Sequence, residues 1–264
     1  MQITPTYPSS LTDEQWNEIK NLIPQFKGFG RPPTHDRRAI VDGILYVVVG
    51  GNQWRMLPHD FPPWQTVYGY FSRWQKKGDW QVTHDVLAMK VREAEGKKSH
   101  PTAAIVDSQS VKVADQAGER GVDVGKKING RKRHILVDTL GMILAVLVTP
   151  ASVQDRDGAR QLMGLLKHCF SYIQVIWADG GYAGQLVGWL WNLRTHHRIR
   201  LEIVKRSEGQ RGFVVLPKRW IVERTFAWLI KCRRLRCDYE QLTATSEAMI
   251  HIAMIRLMLR RLHA

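Results

Sequence analysis

Apolar residues recur at helical spacing in the first third of the chain. Thr12 and Gln15 have the spacing of a capping box, and apolar residues follow at Trp16, Ile19, Leu22 and Ile23. Because proline cannot continue a helix, this pattern predicts a helix that begins after Thr12 and ends at Pro24.

Two more segments of this region have helical character. Val67, Phe71 and Trp74 lie at i, i+4 and i+7, which predicts a helix with one buried stripe. Residues 36–49 fit a helix or a strand by periodicity, and their length together with the start at Asp36 favours a helix. Glycines and prolines in residues 28–33 predict a loop before that helix.

The pattern changes at the polar segment 93–101, where we place a domain boundary. The predicted strands that follow are 103–113, 132–137, 142–148, 172–178 and 198–204, and the predicted helices are 152–168, 182–194, 218–236 and 246–262. Three strands, a helix, a strand, a helix and a strand is the order of a ribonuclease H-like α/β domain. We therefore predict a small, mostly helical N-terminal domain over 1–95 and an α/β domain over 96–264.

The formal net charge of the chain is +15 at pH 7, and almost all of it lies in the second part. Residues 1–95 hold 11 basic and 10 acidic residues, whereas residues 96–264 hold 28 and 14. A basic protein of this size usually has a polyanionic partner, so we expect the second domain to make many phosphate contacts. A basic surface that only confers solubility is the weaker interpretation.

The sequence has no pattern typical of secretion or of a membrane protein. The first ten residues are polar, and the apolar run 39–51 contains Asp42 and is too short to cross a bilayer. The three cysteines, Cys169, Cys232 and Cys237, lack the spacing of a disulfide framework or a zinc ribbon. We expect a cytoplasmic protein without a membrane partner.

Two aspartates stand out because each follows an apolar run. Asp107 follows residues 103–106, where a carboxylate is costly to bury unless it is paired or bound to a metal. Asp179 follows residues 175–178 and precedes two glycines, which places it at the C-terminal edge of a strand, where α/β sheets present ligand-binding groups. A hydrogen-bonded structural role for Asp107 and turn chemistry for Asp179 are the alternatives.

Glu223 is a third candidate, on a predicted helix with the apolar stripe Val222, Phe226 and Leu229. Arg219 precedes it by four residues, so an ordinary surface ion pair is the alternative. Carboxylates that converge from such positions could hold magnesium, which prefers oxygen ligands and serves phosphodiester cleavage.

Two other acids of the second domain have structural interpretations. Asp138 lies in a predicted turn between two strands, and Asp155 has capping-box spacing with Ser152 at the start of the helix 152–168.

Four motifs follow one another along the second part of the chain: IVDSQSVK at 105–112, GRKRHILVD at 130–138, WADGGY at 177–182 and RWIVERTFAWL at 219–229. In this order they resemble the motifs of insertion-sequence transposases. Residues 34–74, which include NQWRMLP at 52–58, are similar to the small N-terminal domain of the same proteins. The chain is identified as a member of the insertion-sequence five family of DDE transposases, within the four/five superfamily, and the resemblance covers essentially the whole chain.

The resemblance implies a ribonuclease H-like catalytic domain in which Asp107, Asp179 and Glu223 hold two Mg²⁺ ions, for which Mn²⁺ can substitute. It implies a catalytic role for Arg219, whose planar guanidinium would steady a phosphate. Such enzymes cleave double-stranded DNA at the ends of the element and join the freed 3′-hydroxyls to target DNA. Because two ends have to be paired, the resemblance implies a homodimer or a higher oligomer. The N-terminal domain would bind DNA ends or dimerise, and the DNA-bound protein would be associated with the nucleoid.

The chain departs from the superfamily pattern around the glutamate, which is Tyr-x2-Arg-x3-Glu-x6-Lys. Leu216 stands at the tyrosine position and Ile230 at the lysine position, with Lys231 one residue later. The tyrosine role is therefore absent, and Lys231 is the candidate for the lysine role, on the same helix face as Glu223. These changes leave open whether this copy is active.

Two groups of basic residues are candidates for contacts with the DNA backbone. One group lies on and before the second predicted strand: Lys126, Lys127, Arg131, Lys132 and Arg133. The other group lies on the helix with the Val67 stripe and could enter a DNA groove: Arg73, Lys76 and Lys77. A solvated hairpin edge and a charged solvent face, respectively, are the alternatives.

Three other functions can be weighed against a transposase. A nuclease of the same fold would cut DNA without joining it, and fold analogy alone does not separate the two. A catalytically inactive DNA-binding relic would be expected if one of the three acids were missing. A glycosidase with a carboxylate pair would not explain the positive charge of the second domain.

Overall fold

The computed structural model describes residues 7–25, 34–115, 118–165, 172–192, 198–204 and 218–263. The predicted loop 28–33, Leu216 and Cys169 lie outside the described residues. In chain order the described elements are α1 (Asp13–Ile19), α2 (Arg37–Gly50), α3 (Trp64–Lys77), α4 (Asp79–Ala94), β1 (Ala103–Lys112), β2 (Gly121–Asp123), β3 (Ile128–Asp138), β4 (Ile143–Pro150), α5 (Asp155–Leu165), β5 (Val175–Ala178), α6 (Gln185–Trp191), β6 (Arg200–Ile203), α7 (Trp220–Leu229) and α8 (Thr243–Leu262).

The chain divides into two compact units. The first comprises Met1–Glu95, Leu229–Arg236 and Ala244–Ala264, and the second comprises Gly96–Trp228 and Cys237–Thr243. The second unit begins at the predicted boundary, whereas two C-terminal segments are grouped with the N-terminal helices. Independent domains over 1–95 and 96–264 stay a prediction.

The first unit confirms the predicted capping box and shows why its helix is short. The Thr12 hydroxyl accepts from the Gln15 amide, and the Gln15 side chain accepts from the Thr12 amide. The helix ends at Ile19 and not at Pro24. Beyond it, the Arg37 guanidinium donates to the carbonyl oxygens of Lys20 (3.0 Å) and Ile23 (2.8 Å), which satisfies these groups without another helical turn.

The other predicted helices of this unit are also confirmed. Residues 37–50 form α2, capped by the Asp36 carboxylate, which accepts from the Ala39 amide at 3.4 Å. Val67, Phe71 and Trp74 are the buried residues of α3. The neighbouring helix α4 had no separate sequence assignment.

C-terminal residues complete the core of the first unit. Gly51 ends α2 with φ +77°, and a Cβ there would lie 2.9 Å from the Arg233 Cβ. The Arg234 guanidinium donates to the Asn52 carbonyl at 3.2 Å. On α8, the buried His251 ring lies 5.1 Å from the ring of His84. The last helix therefore covers apolar surface of the first ones.

The second unit is built on a six-stranded sheet. Its strand order is β2-β3-β1-β5-β6, and β4 also pairs with β3. β3 is antiparallel to β1, β2 and β4, whereas β1, β5 and β6 are parallel. This confirms the predicted ribonuclease H-like α/β class. The short strand β2 lies outside the predicted strands, and its three residues pair with the start of β3.

The two faces of this sheet have different coverings. Ala104, Val106 and Ile176 pack into a buried apolar cluster with residues of α5 and α6. Because successive side chains of a strand point to opposite faces, Asp107, Trp177 and Asp179 belong to the other face.

Helix α7 is anchored to the turn between β3 and β4. The Thr225 hydroxyl donates to the Gly141 carbonyl at 3.0 Å, and the Arg224 guanidinium donates to the Leu140 carbonyl at 2.9 Å. Gly141 has φ +84°, and a Cβ there would lie 2.8 Å from the Thr225 Oγ1, so the turn and the helix need a glycine at this contact. The Asp138 carboxylate closes the turn by accepting from the amides of Leu140 and Met142, each at 2.8 Å.

No helix in the described part of the chain is both long enough and apolar enough to cross a membrane.

Two glycines of α5 provide a matched test of the packing of this helix on the sheet. A Cβ on Gly158 would lie 2.1 Å from the buried His134 ring, whereas a Cβ on Gly164 would meet no atom within 4 Å. Gly158→Ala should lower the free energy of unfolding by about 1–3 kcal/mol through overpacking. Gly164→Ala should raise it by about 0.5–1 kcal/mol, because alanine favours the helix. Urea unfolding of both variants checks this, and equal effects would contradict the described packing of α5.

Candidate active site

Parallel pairing of β1 with β5 brings two of the predicted acids together. Ile105 is the register partner of Trp177, and Asp107 and Asp179 each lie two residues further along their strands. Side chains two residues apart on a strand share a face, so both carboxylates project from the same face at neighbouring positions.

Asp179 combines the two roles that its sequence allowed. Its Oδ1 accepts from the Gly181 amide at 2.8 Å and caps the 3₁₀ turn Gly180–Tyr182. Its Oδ2 lies 3.5 Å from the Arg219 guanidinium. Turn chemistry with one oxygen therefore fixes the carboxylate and leaves the other oxygen for a cation.

Helix α7 adds the third acid. Arg219 immediately precedes this helix, and its carbonyl accepts from the Glu223 amide at 3.5 Å. The same guanidinium nitrogen, Nη2, lies 3.6 Å from Asp107 Oδ2, 3.5 Å from Asp179 Oδ2 and 3.8 Å from Glu223 Oε1. The i,i+4 pair between Arg219 and Glu223 is thus one part of a four-residue cluster. This carboxylate site is defined here as Asp107, Asp179, Glu223 and Arg219.

The carboxylate site is short of positive charge. Burial is the main cause that raises the pKa of Asp107 to about 6, and the neighbouring charge of Asp179 adds to it. The Ser108 amide, which donates at 2.7 Å, and the Arg219 guanidinium act in the opposite direction without restoring the ordinary value. A site of this kind favours the entry of further cations.

Tyr182 lies behind the carboxylate site. Its side chain is 1% exposed, and burial, followed by the charges of Asp107 and Asp155, raises the pKa of the phenol well above its ordinary value. The phenol therefore stays neutral beside the acids.

The donor chemistry of the site fits magnesium. Three carboxylates supply hard oxygen ligands of the kind that Mg²⁺ prefers. No three His, Cys, Asp or Glu side chains among the described residues are grouped so as to hold a metal ion as they stand. The guanidinium of Arg219 lies among these oxygens as their counter-ion.

Three of the residues predicted to contact DNA, Arg131, Lys132 and Arg133, lie on β3 and form the basic strand. Arg131 and Arg133 are 0% exposed and Lys132 is 5% exposed, although all three lie on the predicted basic edge. Arg131 Nη1 donates to Asp238 Oδ1 at 3.1 Å and to the Glu240 carbonyl at 2.7 Å. Burial lowers the pKa of Arg133 to about 10. A grip on the DNA backbone is therefore wrong for these three side chains.

The predicted capping role of Asp155 is also wrong. Helix α5 begins at this residue, and its carboxylate binds side chains of β1 and β3. It accepts from the Ser108 hydroxyl at 2.7 Å and pairs with the Lys132 ammonium at 2.9 Å. A capping box with Ser152 is not what holds it.

Lys126 and Lys127 are exposed in the turn before β3. Among the causes that act on the pKa of Asp107, the charge of Lys126 lowers it and is the smallest. Contact of these two lysines with DNA stays a prediction.

The remaining predicted residues lie elsewhere. Lys231 is exposed, but α7 ends at Leu229, so the expectation that it shares a helix face with Glu223 is wrong. Arg73, Lys76 and Lys77 are exposed on α3, and the Arg73 guanidinium lies 4.3 Å from the centroid of the Tyr70 ring. DNA contact of this group stays a prediction.

Lys218 and Trp177, which were not among the predicted site residues, adjoin residues of the carboxylate site. Lys218 directly precedes Arg219 in the sequence, and Trp177 lies two residues before Asp179. That adjacency was the available sign of their position.

A ribonuclease H-like sheet with two aspartates on adjacent parallel strands and a glutamate on a later helix defines a DDE-type protein. Residues 98–258 match the family described as "Transposase DDE domain", and residues 11–84 match "Putative transposase of IS4/5 family (DUF4096)". The first match covers more than half of the chain, so the chain belongs to the DDE transposase domain family.

Curated relatives have similar descriptions. The "Putative transposase for insertion sequence element IS402" of Burkholderia cepacia is 31% identical over 141 residues, which cover 48% of this chain and 60% of the relative. "Uncharacterized protein y4sN" of Sinorhizobium fredii (strain NBRC 101917 / NGR234) is 31% identical over 85 residues, 32% of this chain and 66% of the relative. The "Insertion element IS402 uncharacterized 16.2 kDa protein" of Burkholderia cepacia is 32% identical over 125 residues, which cover 45% of this chain and 78% of the relative. The chain thus spans less than two thirds of the first two relatives.

The raised pKa of Asp107 predicts a pH-dependent stability in EDTA. The folded protein holds this proton up to about pH 6 and the unfolded chain only to about 3.8, so stability falls as the pH rises between these values. Asp107→Asn removes the buried charge, so the variant should exceed the parent protein in unfolding free energy by about 1–3 kcal/mol above pH 6 and should lose this advantage near pH 4.

Urea unfolding across this pH range measures the effect. Asp115→Asn, at an exposed loop position, is the control and should follow the parent curve. Parallel curves for Asp107→Asn and the parent protein would mean that burial does not raise the pKa of Asp107.

Proposed function

We propose that this protein is a transposase that binds the terminal inverted repeats of an insertion sequence, cleaves at its ends and transfers the 3′-hydroxyl ends to target DNA. The observation that carries the proposal is the convergence of Asp107, Asp179 and Glu223 on one nitrogen of Arg219. Membership of the DDE transposase family supports the same reading.

Asp107, Asp179 and Glu223 are the residues that would hold two Mg²⁺ ions. When bound, these ions would activate the attacking oxygen and neutralise charge on the phosphate. Asp107 must be ionised to bind a cation, so its pKa of about 6 predicts that metal affinity falls below that pH.

Arg219 has two roles in this proposal. In the protein without metal it offsets part of the negative charge of the three carboxylates. A divalent cation that binds the carboxylates has to compete with this guanidinium. Once the carboxylates have another partner, the planar guanidinium can bind a phosphate through two hydrogen bonds.

The distribution of charge supports DNA as the partner. The excess positive charge belongs to residues 96–264, where Lys126 and Lys127 are exposed and the charge of Lys126 acts to lower the pKa of Asp107. Arg73, Lys76 and Lys77 on α3 would contact DNA ends from the first unit, which would bind ends or dimerise. We propose that a homodimer or higher oligomer pairs two ends on DNA in the cytoplasm.

A nuclease without strand transfer is the second candidate, because it would use the same carboxylate site. The names of the Burkholderia cepacia relatives, which refer to an insertion sequence element, favour the transposase.

A DNA-joining assay tests the proposal. The purified protein is mixed with plasmid and with duplex that carries the inverted repeats of its element, with and without Mg²⁺. We expect metal-dependent joining, with a loss of at least about a hundredfold in Asp107→Ala. Asp115→Ala, an exposed loop position, should join normally. Cleavage without joining would favour the nuclease, and binding with neither reaction would indicate a DNA-binding relic.

Competition between Arg219 and metal gives a second test, read without any DNA reaction. A unit charge about 4 Å from another is worth roughly 4 kcal/mol at a protein surface, so Arg219→Gln should bind Mg²⁺ at least about tenfold more tightly. Isothermal titration calorimetry measures this. Arg200→Gln removes an exposed arginine that pairs with Glu202 at 2.9 Å, and should leave Mg²⁺ affinity unchanged. Weaker binding by Arg219→Gln would show that the guanidinium supports the metal rather than competing with it.

A further inference from the structure

Lys218 has an unusual backbone position next to the carboxylate site. It directly precedes Arg219, and its φ is +71°, in the left-handed region that residues other than glycine rarely adopt. Its carbonyl accepts from the Ile221 amide at 3.2 Å, so this conformation is part of the turn that starts α7. From this turn the Lys218 side chain reaches the Trp177 ring, and the Arg219 side chain reaches the three carboxylates.

The ammonium of Lys218 lies over an indole ring that is itself fixed. Lys218 Nζ is 3.9 Å from the centroid of the Trp177 ring. The Trp177 Nε1 donates to Glu202 Oε2 at 2.7 Å, and Glu202 has a second partner in Arg200. Trp177 lies two residues before Asp179 on the same face of the sheet, so the aromatic ring adjoins the carboxylate site.

The Lys218 side chain is exposed, and its charge is available to solvent. Within the described residues its contact is the face of the Trp177 ring, which attracts a cation without accepting its N–H groups as a carboxylate would. A lysine ammonium carries three such donors. The ring therefore restricts the position of the ammonium while leaving donors for an incoming anion.

We propose that Lys218 binds a phosphate of the DNA backbone next to the carboxylate site. Asp107, Asp179 and Glu223 repel a polyanion, and a positive group at their border offsets this repulsion where the backbone has to approach. An ammonium is a compact charge suited to a phosphate oxygen. This inference rests on the proposed function, because it assumes that DNA is the partner.

Salt dependence separates a phosphate contact from a structural role. The full-length protein is titrated in EDTA with a duplex that carries the element's inverted repeat, at several NaCl concentrations. Loss of one phosphate contact reduces the slope of log K against log salt by about 0.9. Lys218→Gln should show this reduction and several-fold weaker binding at about 0.1 M salt, whereas Lys218→Arg should keep the parent slope.

Two further variants serve as controls. Lys97→Gln makes the same charge change at an exposed position before β1 and should leave the slope unaltered. Lys218→Gly removes the charge, but glycine suits the left-handed backbone at this position. This variant should therefore reduce the slope of log K against log salt by the same amount as Lys218→Gln, without lowering the free energy of unfolding.

The outcomes of this experiment are distinct. An unchanged slope in Lys218→Gln, in a protein whose parent binds and joins DNA, would overturn the role of Lys218 and leave the transposase proposal intact. A parent protein that neither binds nor joins the duplex would overturn both. A reduced slope in Lys218→Gln and in Lys218→Gly, with an unchanged slope in Lys218→Arg and in Lys97→Gln, would establish the phosphate contact.

Discussion

The carboxylate site is centred on one guanidinium among three carboxylates. Arg219 interacts with side chains from β1, from the end of β5 and from α7, which are far apart in sequence. Burial and the charge of Asp179 both disfavour the ionised form of Asp107, so its pKa is about 6 even with the arginine present. The parallel register that aligns Asp107 with Asp179, and the turn that anchors α7, keep the acids within reach of a cation.

Much of this site could be predicted because its residues interrupt clear patterns. Asp107 and Asp179 follow apolar strands, and the pairing of those strands aligns them. Glu223 has only an i,i+4 partner as local evidence, so its assignment depended on the family motif. The ends of helices were harder, since the end of α1 is set by Arg37, which binds carbonyls of a segment 14 to 17 residues earlier. Periodicity contains no such tertiary information.

The basic strand shows a different limit of sequence reasoning. Arg131, Lys132 and Arg133 resemble a phosphate-binding edge in a charge count, but β3 has neighbours on both sides and the three side chains are buried. Arg131 meets Asp238, 107 residues later. Breaking such a buried pair by removing one partner is strongly destabilising. The net charge of this part of the chain therefore overstates the charge that DNA can meet.

The composition of the first unit has a consequence for how the protein is made. Its core contains α8, which is synthesised after every strand of the sheet, and residues of α8 such as Met249, Met254 and Met258 are fully buried. Domains generally fold from the N-terminus during translation, but here the first helices on the ribosome lack a covering helix until the last one emerges. Truncation at residue 95 would remove α8 from the first unit and expose the surface that this helix covers.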